Sequence, residues 1–384
     1  MIEGKFSRRG LIAATGLVLL AGCQIVPKGA PQSSGPTTQV PNAHILPADQ
    51  QRHRVAILLP TSGPNAGVGQ ALANAANMAV LDTNATNLRI TTYDTSSGTA
   101  DAATRAIADG NKLILGPLMG DEVAAVARIA RPARVPIIAF SNDASVAGRD
   151  VFIMGSLPNQ SIERTIGWAR SKGARRFGAL LPEGDYGLRA NAALNTAVME
   201  AGGTVVASEV FARSNPSIIS AAKRLKAKGP LDAVLIADGS RFAVLAAPQL
   251  RPRGVGPRLL GTELWSGDNG ALTSPSLRGA WYAAASDGRF LQFSESYRNR
   301  FGAQPHRMAT MGYDAVLLTL RVSRTWKPGT TFPTAKLQDP DGFLGLDGVF
   351  RFGANGVVER ALEVVEIRQG GVTVVSPAPA RLPN

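Results

Sequence analysis

From His53 onward, short apolar runs alternate with longer segments in which apolar residues recur every three or four positions. A short apolar run is typical of a buried β-strand, whereas the longer period is typical of an amphipathic helix. Strands that alternate with helices along a chain favour parallel sheets that helices cover on both faces. This alternation therefore predicts the α/β class and the position of each element.

The same pattern predicts two lobes. Strands are predicted at residues 55–59, 88–93, 113–115, 136–140, 151–154, 177–181, 204–207, 233–237, 259–261 and 281–285. Helices are predicted at residues 69–81, 100–108, 121–129, 162–172, 188–201, 218–228, 241–250, 290–301 and 308–325. Two sets of about five strand–helix units fit two doubly wound, Rossmann-like lobes better than one oversized sheet.

The closing segment, residues 345–376, has a different pattern. Its apolar and polar residues alternate, and the chain turns at residues 354–356 and 369–371, where Asn-Gly and Gly-Gly pairs occur. Such pairs between alternating runs are typical of β-hairpins. We expect these hairpins to be appended to the second lobe.

Residues 1–22 have the features of a secretory signal sequence. Basic residues that include Arg8 and Arg9 precede LIAATGLVLLA, an apolar stretch too short to span a bilayer as a helix. The stretch leads to Leu-Ala-Gly-Cys, which resembles the lipobox of bacterial lipoproteins, and Cys23 is the single cysteine of the chain. We predict export by the Sec or the twin-arginine route, removal of residues 1–22 and lipidation of Cys23.

A buried free thiol is the alternative role for Cys23, but the position after a signal core is not part of a folded domain. Once Cys23 is acylated, no thiol remains for a disulfide, a metal or catalysis. Gln24 rather than Asp follows the cysteine, which in lipoproteins of this kind favours the outer membrane. Residues 23–52 are rich in Pro, Ser, Thr and Gly and lack an apolar period, so they are predicted to form a flexible tether.

The formal net charge of +13 indicates attraction to anionic partners. An exported protein does not meet nucleic acid, so we expect no nucleic-acid partner, and the membrane is expected to be reached only through the Cys23 lipid. Anionic cell-wall polymer, lipid headgroups or an acidic protein surface remain as partners. An arginine-rich composition without a binding role is the alternative.

No motif in the sequence demands an enzyme. Gly116 is followed by Pro-Leu-Met-Gly-Asp-Glu, which lacks the Gly-Lys-Ser/Thr of a P-loop, and the Gly-x-Gly-x-x-Gly fingerprint is missing. His44, His53 and His306 do not share one predicted element, which argues against a histidine metal site. The Gly-x-Ser-x-Gly elbow of serine hydrolases does not occur. We expect no catalytic residue, no metal and no cofactor.

Polar, Gly-rich clusters follow the predicted strands, and ligands of parallel sheets lie beyond the carboxyl ends of the strands. These clusters are residues 61–63, 94–96, 116–121, 141–143, 183–187, 238–240 and 262–263. The backbone N–H groups at the predicted helix starts near Gly120 and Tyr186 are suited to hold a carboxylate. The alternative for the polar side chains is helix N-capping, which concerns Ser62, Asp94, Asp121, Asp185 and Ser240.

Several stretches resemble one protein family. They are VAILLPTSGPNAGVG (55–69), TTYDTSSG (91–98), LILGPLMGDEV (113–123), VPIIAFSND (135–143), MGYDAVLLTL (311–320) and GANGVVERALEVVEIRQGGV (353–372). From residue 55 to about residue 375 the chain resembles type I periplasmic binding proteins of the Leu/Ile/Val group. Within that superfamily it is similar to the C-terminal domain of the LpoA-type penicillin-binding protein activators.

The resemblance implies two lobes that are joined by three crossings of the chain. Lobe one is expected to comprise residues 53–155 and 286–327, and lobe two residues 156–285 and 328–376. Residues 377–384 are expected to form a tail.

The resemblance also implies a function without catalysis. It implies a lipoprotein at the periplasmic face of the outer membrane that binds and activates a bifunctional penicillin-binding protein, a peptidoglycan synthase. The activators carry a helical-repeat N-terminal domain where this chain has only the tether. The alternative is a tethered solute-binding protein for an amino acid, amide or peptide-like ligand that feeds a transporter or receptor.

The resemblance can be carried over to single residues. In amino-acid binders of the superfamily a Ser or Thr after the third strand binds the ligand carboxylate, and Gly120 stands there. Asn142 and Asp143 belong to the cluster after the fourth strand. Tyr186 matches the residue that packs over the ligand, and Glu263 matches the one that binds its ammonium. The candidate cleft residues are Ser62, Gly120, Asp121, Asn142, Asp143, Tyr186 and Glu263.

Overall fold

The computed structural model describes residues 51–382. Within them every predicted strand and helix is present, with ends that differ from the predicted ones by a few residues. The predicted signal sequence, Cys23 and the tether up to residue 50 lie outside the described residues, so lipidation and anchoring stay predictions.

The first lobe is built on a parallel sheet with the strand order β2-β1-β3-β4-β5. The strands are β1 (His53–Leu59), β2 (Leu88–Asp94), β3 (Leu113–Leu115), β4 (Ile137–Ala139) and β5 (Val151–Ile153). The helices after β1, β2 and β3 are α1 (Ala66–Asp82), α2 (Thr99–Ala108) and α3 (Gly120–Ala130). The order reverses at β1, which opens a crevice beyond its carboxyl end, where ligands of such sheets bind.

The second lobe contains a larger sheet with the order β15-β14-β10-β9-β8-β6-β7. Its parallel strands are β6 (Arg176–Pro182), β7 (Thr204–Phe211), β8 (Ala233–Ile236), β9 (Arg258–Leu260) and β10 (Trp281–Ala284). The antiparallel strands are β14 (Glu363–Arg368) and β15 (Gly371–Ser376). Its helices are α4 (Pro158–Ser171), α5 (Asp185–Glu200), α6 (Asn215–Ala227), α7 (Ser240–Leu250) and α8 (Asn269–Thr273).

Helices cover both faces of this larger sheet. Val234 and Ile236 of β8 pack in one apolar cluster with residues of α6 and α7, whereas Ala233 and Leu235 pack in a second cluster with residues of α4 and α5. Successive side chains of a strand point to opposite faces. This is why β8 is apolar at every position rather than at alternate ones.

The chain passes between the lobes three times: from β5 to α4, from β10 to α9 (Asp287–Phe301), and into β14. After β10, α9 and α10 (Ala309–Ser323) return to the first lobe, where α10 packs along α1. The fold is thus two doubly wound lobes with three connections, as the alternation and the resemblance predicted.

A small antiparallel sheet, which the sequence analysis did not expect in this place, lies on the first lobe. Its strands are β11 (Phe343–Gly345), β12 (Gly348–Phe352) and β13 (Val358–Arg360). Phe350 and Phe352 belong to the apolar core of the first lobe, and the rings of Phe352 and Phe152 lie 5.4 Å apart, edge to face. Val357 forms a β-bridge with Ile153 of β5.

The assignment of residues 328–360 to lobe two is therefore wrong. Those residues pack on the first core, and only β14 and β15 join the sheet of the second lobe. The predicted turns at residues 354–356 and 369–371 are confirmed. An alternating pattern identifies a strand and its turn, but it does not identify the sheet against which the strand packs.

Candidate functional site

One carboxylate ties together the loops that follow β1 and β2. Asp94 accepts hydrogen bonds from the Thr61 amide (2.9 Å), the Ser62 hydroxyl (2.7 Å) and the Ser96 amide (3.0 Å). The hydrogen bonds from Ser62 and Ser96 hold the pKa of Asp94 below its usual value. The hydroxyl of Ser62 is thus engaged in holding the loop.

The cleft wall after β3 and β4 leaves little space for a side chain at Gly120. A Cβ built on Gly120 would lie 3.1 Å from the Cβ of Asp143 and 3.1 Å from the Oγ of Ser141. Asp143 is itself fixed, because its amide donates to Ser141 Oγ (3.0 Å) and its Oδ1 accepts from the amide (2.9 Å) and the hydroxyl (2.6 Å) of Ser145. A Ser or Thr side chain at position 120 would therefore press on Asp143 and Ser141.

Arg189 of α5 reaches this wall from the second lobe. Its Nη1 lies 3.5 Å from Asp143 Oδ2, and its Nη2 donates to Asn142 Oδ1 at 3.3 Å. Burial acts to raise the pKa of Asp143, but the hydrogen bonds from Ser145 and the Arg189 guanidinium bring it below its usual value. This contact connects the two lobes across the cleft.

Glu263, directly after β9, presents an unsatisfied acceptor. The Tyr186 hydroxyl donates to Glu263 Oε1 at 2.9 Å and lies 3.1 Å from Thr262 Oγ1. Oε2 of Glu263 is buried and has no hydrogen-bond partner among the described residues. Burial raises the pKa of Glu263 to about 7, although the hydrogen bond from Tyr186 favours the ionised form. Burial likewise raises the pKa of Tyr186 well above its usual value, so Tyr186 remains a donor.

A cavity of about 500 Å³ lies between the lobes, and Asn142 and Glu263 form part of its wall. Its other polar lining residues are Ser156, Ser266, Asp268, Asn269, His306, Arg307, Thr310 and Asp347. This volume is within the range of small-molecule sites, which combine apolar walls with a few convergent polar groups. Met308, Met311, Leu264 and Ala284 supply apolar wall.

A buried ion pair forms the floor of the cavity, and the sequence analysis did not identify it. Arg307 Nη1 lies 2.7 Å from Asp347 Oδ1, and the Thr310 hydroxyl donates to Asp347 Oδ2 at 2.8 Å. Arg307 Nε donates to Ser266 Oγ of the second lobe at 3.2 Å. Burial acts to raise the pKa of Asp347, but the Arg307 and Arg360 guanidinium groups lower it below its usual value.

The predicted site residues fall into three groups. Asn142 and Glu263 line the cavity. Behind its wall, Asp143 contacts Arg189, and Tyr186 contacts Glu263. Gly120 packs against Asp143. Ser62 and Asp121 are exposed and are not part of the cavity wall.

Helix N-capping, the alternative for five of the polar residues, is not what the structure shows for them. The N-cap residues of α1, α2, α3, α5 and α7 are Asn65, Gly98, Met119, Gly184 and Gly239. Asp121, Asp185 and Ser240 lie one or two positions inside their helices instead. Asp143, which was not among the five, is the N-cap residue of a short 3-10 helix.

Two further properties concern the described residues. Between residues 51 and 382, no set of three or more His, Cys, Asp or Glu side chains is arranged to bind a metal ion. No helix in that range has the length and hydrophobicity needed to cross a bilayer.

Residues 53–371 match the family model for periplasmic binding proteins, so the match runs from the first residue of β1 to the start of β15. The chain belongs to the periplasmic binding protein family. Two of the seven candidate residues, Asn142 and Glu263, line the cavity of this binding protein. The finer likeness to penicillin-binding protein activators is a separate question.

Solved structures share the fold of this binding protein. A leucine binding protein of Thermotoga maritima is 20% identical and covers 85% of this chain and 98% of its own, with a TM-score of 0.65. A branched-chain amino acid ABC transporter periplasmic ligand-binding protein of Burkholderia xenovorans is 18% identical and covers 85% of this chain and 95% of its own, with a TM-score of 0.69. Identities this low show the common fold alone.

One curated relative has no described function. An uncharacterized protein of Rickettsia prowazekii is 28% identical over 178 residues, which are 46% of this chain and 47% of the relative. The chain thus spans about half the length of the curated relative that it matches.

Proposed function

We propose that this protein is a periplasmic solute-binding protein that holds a small ligand in the cavity between its lobes, with a cationic or N–H-donating group of the ligand at Glu263. The observation that carries this proposal is Glu263, which lines the cavity and whose buried Oε2 has no hydrogen-bond partner among the described residues. A buried acceptor that lacks a partner costs free energy in the empty protein. A ligand N–H group removes that cost when it binds.

Behind Asn142 of the cavity wall, the carboxylate of Asp143 disfavours a ligand carboxylate on that side. Asp143 has a lowered pKa and packs beside Gly120, although it does not itself line the cavity. Its pairing with Arg189 also leaves less positive charge available to a ligand anion. We therefore infer an amide, amine or peptide-like ligand rather than a free α-amino acid.

The relatives support a solute-binding role. The family is one of binding proteins, and the two solved structures named above are a leucine binding protein and a transporter's ligand-binding protein. A periplasmic location agrees with the family. Anchoring through Cys23, and the outer membrane as its site, remain predictions from the sequence.

We expect leucinamide to raise the melting temperature of the protein more than leucine does. At about one hundred times Kd, a ligand stabilises the folded state by about 2.7 kcal/mol. The Glu263→Gln variant is expected to bind the amide about thirtyfold more weakly, because it loses about 2 kcal/mol of charged hydrogen bonding. Differential scanning fluorimetry with a panel of amino acids, amides, amines and short peptides measures this.

The matched control for that experiment is Glu200→Gln, which changes an exposed carboxylate at the last turn of α5 in the same lobe. This variant is expected to respond to ligands as the wild type does. A panel in which no compound shifts the wild-type melting temperature, or in which both variants respond alike, contradicts the proposal.

The pKa of Glu263, about 7, predicts a pH dependence of binding. A ligand whose cation stays charged between about pH 5 and 8 favours the ionised carboxylate, so its affinity should rise with pH across this window. Binding below the pKa should release a proton, which calorimetry in buffers of different ionisation enthalpy detects. Glu263→Gln should abolish both effects.

The pH dependence of the stability of the empty protein has the opposite sign to that of ligand affinity. The folded-state pKa of Glu263 lies above its ordinary value, so ionisation opposes folding, and the empty wild-type protein loses stability as the pH rises through about 7. Glu263→Gln should thus stabilise the empty protein more at pH 8 than at pH 5. Equal changes in stability at pH 5 and pH 8 would show that the carboxyl group of Glu263 is not buried.

Activation of a penicillin-binding protein remains a hypothesis from the sequence. The family model and the relatives named above give it no specific support. Recovery of a peptidoglycan synthase in a pull-down with this protein, together with a failure of the ligand panel, would restore it as the leading function.

A further inference from the structure

The end of the second lobe that lies opposite the cleft is densely basic. The parallel strands β6, β8, β9 and β10 begin at this edge, and α4, α6 and α7 end there. Its exposed cations are Lys172, Arg175, Arg176, Lys226, Lys228, Arg253, Arg278 and Arg368. The partly exposed Arg170, Arg251 and Arg258 lie among them. We call this set the basic edge.

The basic edge extends in two dimensions. Adjacent strands lie about 4.8 Å apart, so the cations from β14 to β6 span roughly 20 Å along the sheet. Lys172 follows α4 on one face of the sheet, and Lys228 follows α6 on the other. The charges therefore cover an area rather than a line.

The carboxylates of this edge are already paired. Asp232 accepts from Arg176 Nη2 (2.8 Å) and from the amides of Arg175 and Arg176 (2.9 Å each), and the Arg176 hydrogen bond lowers its pKa to about 2. Glu366 Oε1 lies 2.8 Å from Arg368 Nε. Glu200, at the last turn of α5, adds one exposed carboxylate. The edge thus keeps a large positive excess.

An apolar tip projects from the middle of the basic edge. Val255, in the loop between α7 and β9, is 77% exposed. Arg251 holds this loop, because its Nη2 donates to the Gly254 carbonyl (3.0 Å) and its Nη1 to the Arg278 carbonyl (3.3 Å). Arg258 stacks 4.2 Å from the Trp281 ring. An exposed aliphatic side chain that is surrounded by cations is suited to a membrane interface. There the apolar side chain enters the headgroup layer, and the cations contact lipid phosphates.

We propose that the basic edge is a docking surface for a bilayer that contains anionic phospholipid, a second membrane contact besides the Cys23 lipid that the sequence predicts. A planar array of phosphates matches a two-dimensional field of cations, whereas a linear polymer uses a groove that follows its backbone. The exposed valine would add nothing to the binding of a soluble polyanion. Because the edge lies opposite the cleft, docking leaves the cavity between the lobes accessible.

The test uses residues 44–384, since this part of the chain is a compact unit that contains every core residue of both lobes. It lacks Cys23 and the apolar signal segment, so binding reports on the folded body. Vesicles of phosphatidylcholine with about one third phosphatidylglycerol are expected to bind it, whereas phosphatidylcholine alone is not. Raising the salt from about 0.1 M to about 1 M should abolish binding, since the Debye length falls from about 10 Å to about 3 Å.

The decisive comparison is between two triple variants with the same change in net charge. Arg175→Glu, Lys228→Glu and Arg278→Glu together should weaken vesicle binding about a hundredfold or more, since each cation near an anionic surface raises the affinity about fivefold. Arg128→Glu, Arg324→Glu and Lys327→Glu change exposed cations of the first lobe and should leave most of the binding. Val255→Ser should weaken vesicle binding but not the binding of soluble polyphosphate.

Three results would overturn the proposal. One is the absence of vesicle binding at low salt by a fragment that unfolds cooperatively. Another is an equal loss in both triple variants, which would show an effect of net charge alone. The third is tighter binding to polyphosphate or to an acidic polypeptide than to vesicles of equal charge concentration, with no effect of Val255→Ser, which would assign the edge to a soluble polyanion.

Discussion

Replacement of Gly187 by alanine is expected to lower the free energy of unfolding by about 3 kcal/mol and Tm by roughly 4 °C. Gly187 lies in the first turn of α5, and a Cβ there would be 1.8 Å from the Pro182 carbonyl oxygen at the end of β6. Both groups are backbone, so no flexible side chain can move aside. The first turn of α5 has to shift, and it carries Tyr186 and Arg189.

The same replacement should also weaken ligand binding. Tyr186 donates to Glu263, and Arg189 bridges to Asp143, so a shift of the first turn alters both sides of the cleft. Thermal denaturation and the leucinamide titration measure the two effects separately.

Gly167→Ala is the matched control. Gly167 lies within α4, and a Cβ there meets no atom within 4 Å. Alanine in a helix is about 0.5–1 kcal/mol more favourable than glycine, so this variant should be slightly more stable than the wild type and bind ligand normally. If both variants lose stability equally, the close approach at Gly187 is not the cause.

Replacement of Arg307 by methionine is expected to destabilise the protein by about 3–5 kcal/mol, because it leaves the carboxylate of Asp347 buried without its closest cation. Asp347 is only 4% exposed, and its Oδ1 lies 2.7 Å from Arg307 Nη1. Arg307 also donates to Ser266 of the second lobe, so the variant should loosen the connection between the lobes. Denaturant unfolding at neutral pH measures the loss.

The control for Arg307 is Arg131→Met. Arg131 Nε lies 2.6 Å from Asp150 Oδ2, but the two side chains are 59% and 31% exposed, and solvent screens the pair. Exposed pairs contribute at most about 1 kcal/mol, so this variant should be nearly as stable as the wild type. Similar losses in the two variants would mean that burial does not govern the contribution of Arg307.

The cost of Arg307→Met should depend on pH. The pKa of Asp347 is lowered in the folded wild-type protein, so the stabilisation is present above the ordinary carboxyl pKa and is lost as the pH falls through the folded value. In the variant, Asp347 takes up a proton at higher pH and becomes neutral. The difference between the two proteins should therefore shrink below about pH 4.

The sequence predicted much of the lobe architecture because both of its signals are local. Buried strands such as β3 are apolar at every position, and helices such as α3 repeat with the helical period, so each element is visible within its own residues. The sequence did not show that β11, β12 and β13 pack on the first lobe. That choice depends on contacts such as those of Phe352 with Phe152, which are distant in the chain.

The candidate site was predictable only where a residue follows a strand directly. Glu263 and Asn142 were found by that rule, and they line the cavity. Ser62 follows the same rule, yet its hydroxyl is bound to Asp94. Arg307 and Asp347 follow no strand of the larger sheets, and the only sequence signal was the position of Arg307 just before MGYDAVLLTL, so neither was predicted.

The sequence by itself determined the α/β class, the two lobes and the order of the elements, because hydrophobic periodicity is set residue by residue. Tertiary structure alone decided that Asp143 packs beside Gly120, that Arg189 bridges the lobes, and that Arg307 pairs with Asp347 beneath the cavity. Each of these depends on which distant side chains are buried together. In the protein interior an unpaired charge or a steric overlap costs much free energy. The linear pattern of residues does not show which side chains will be neighbours there.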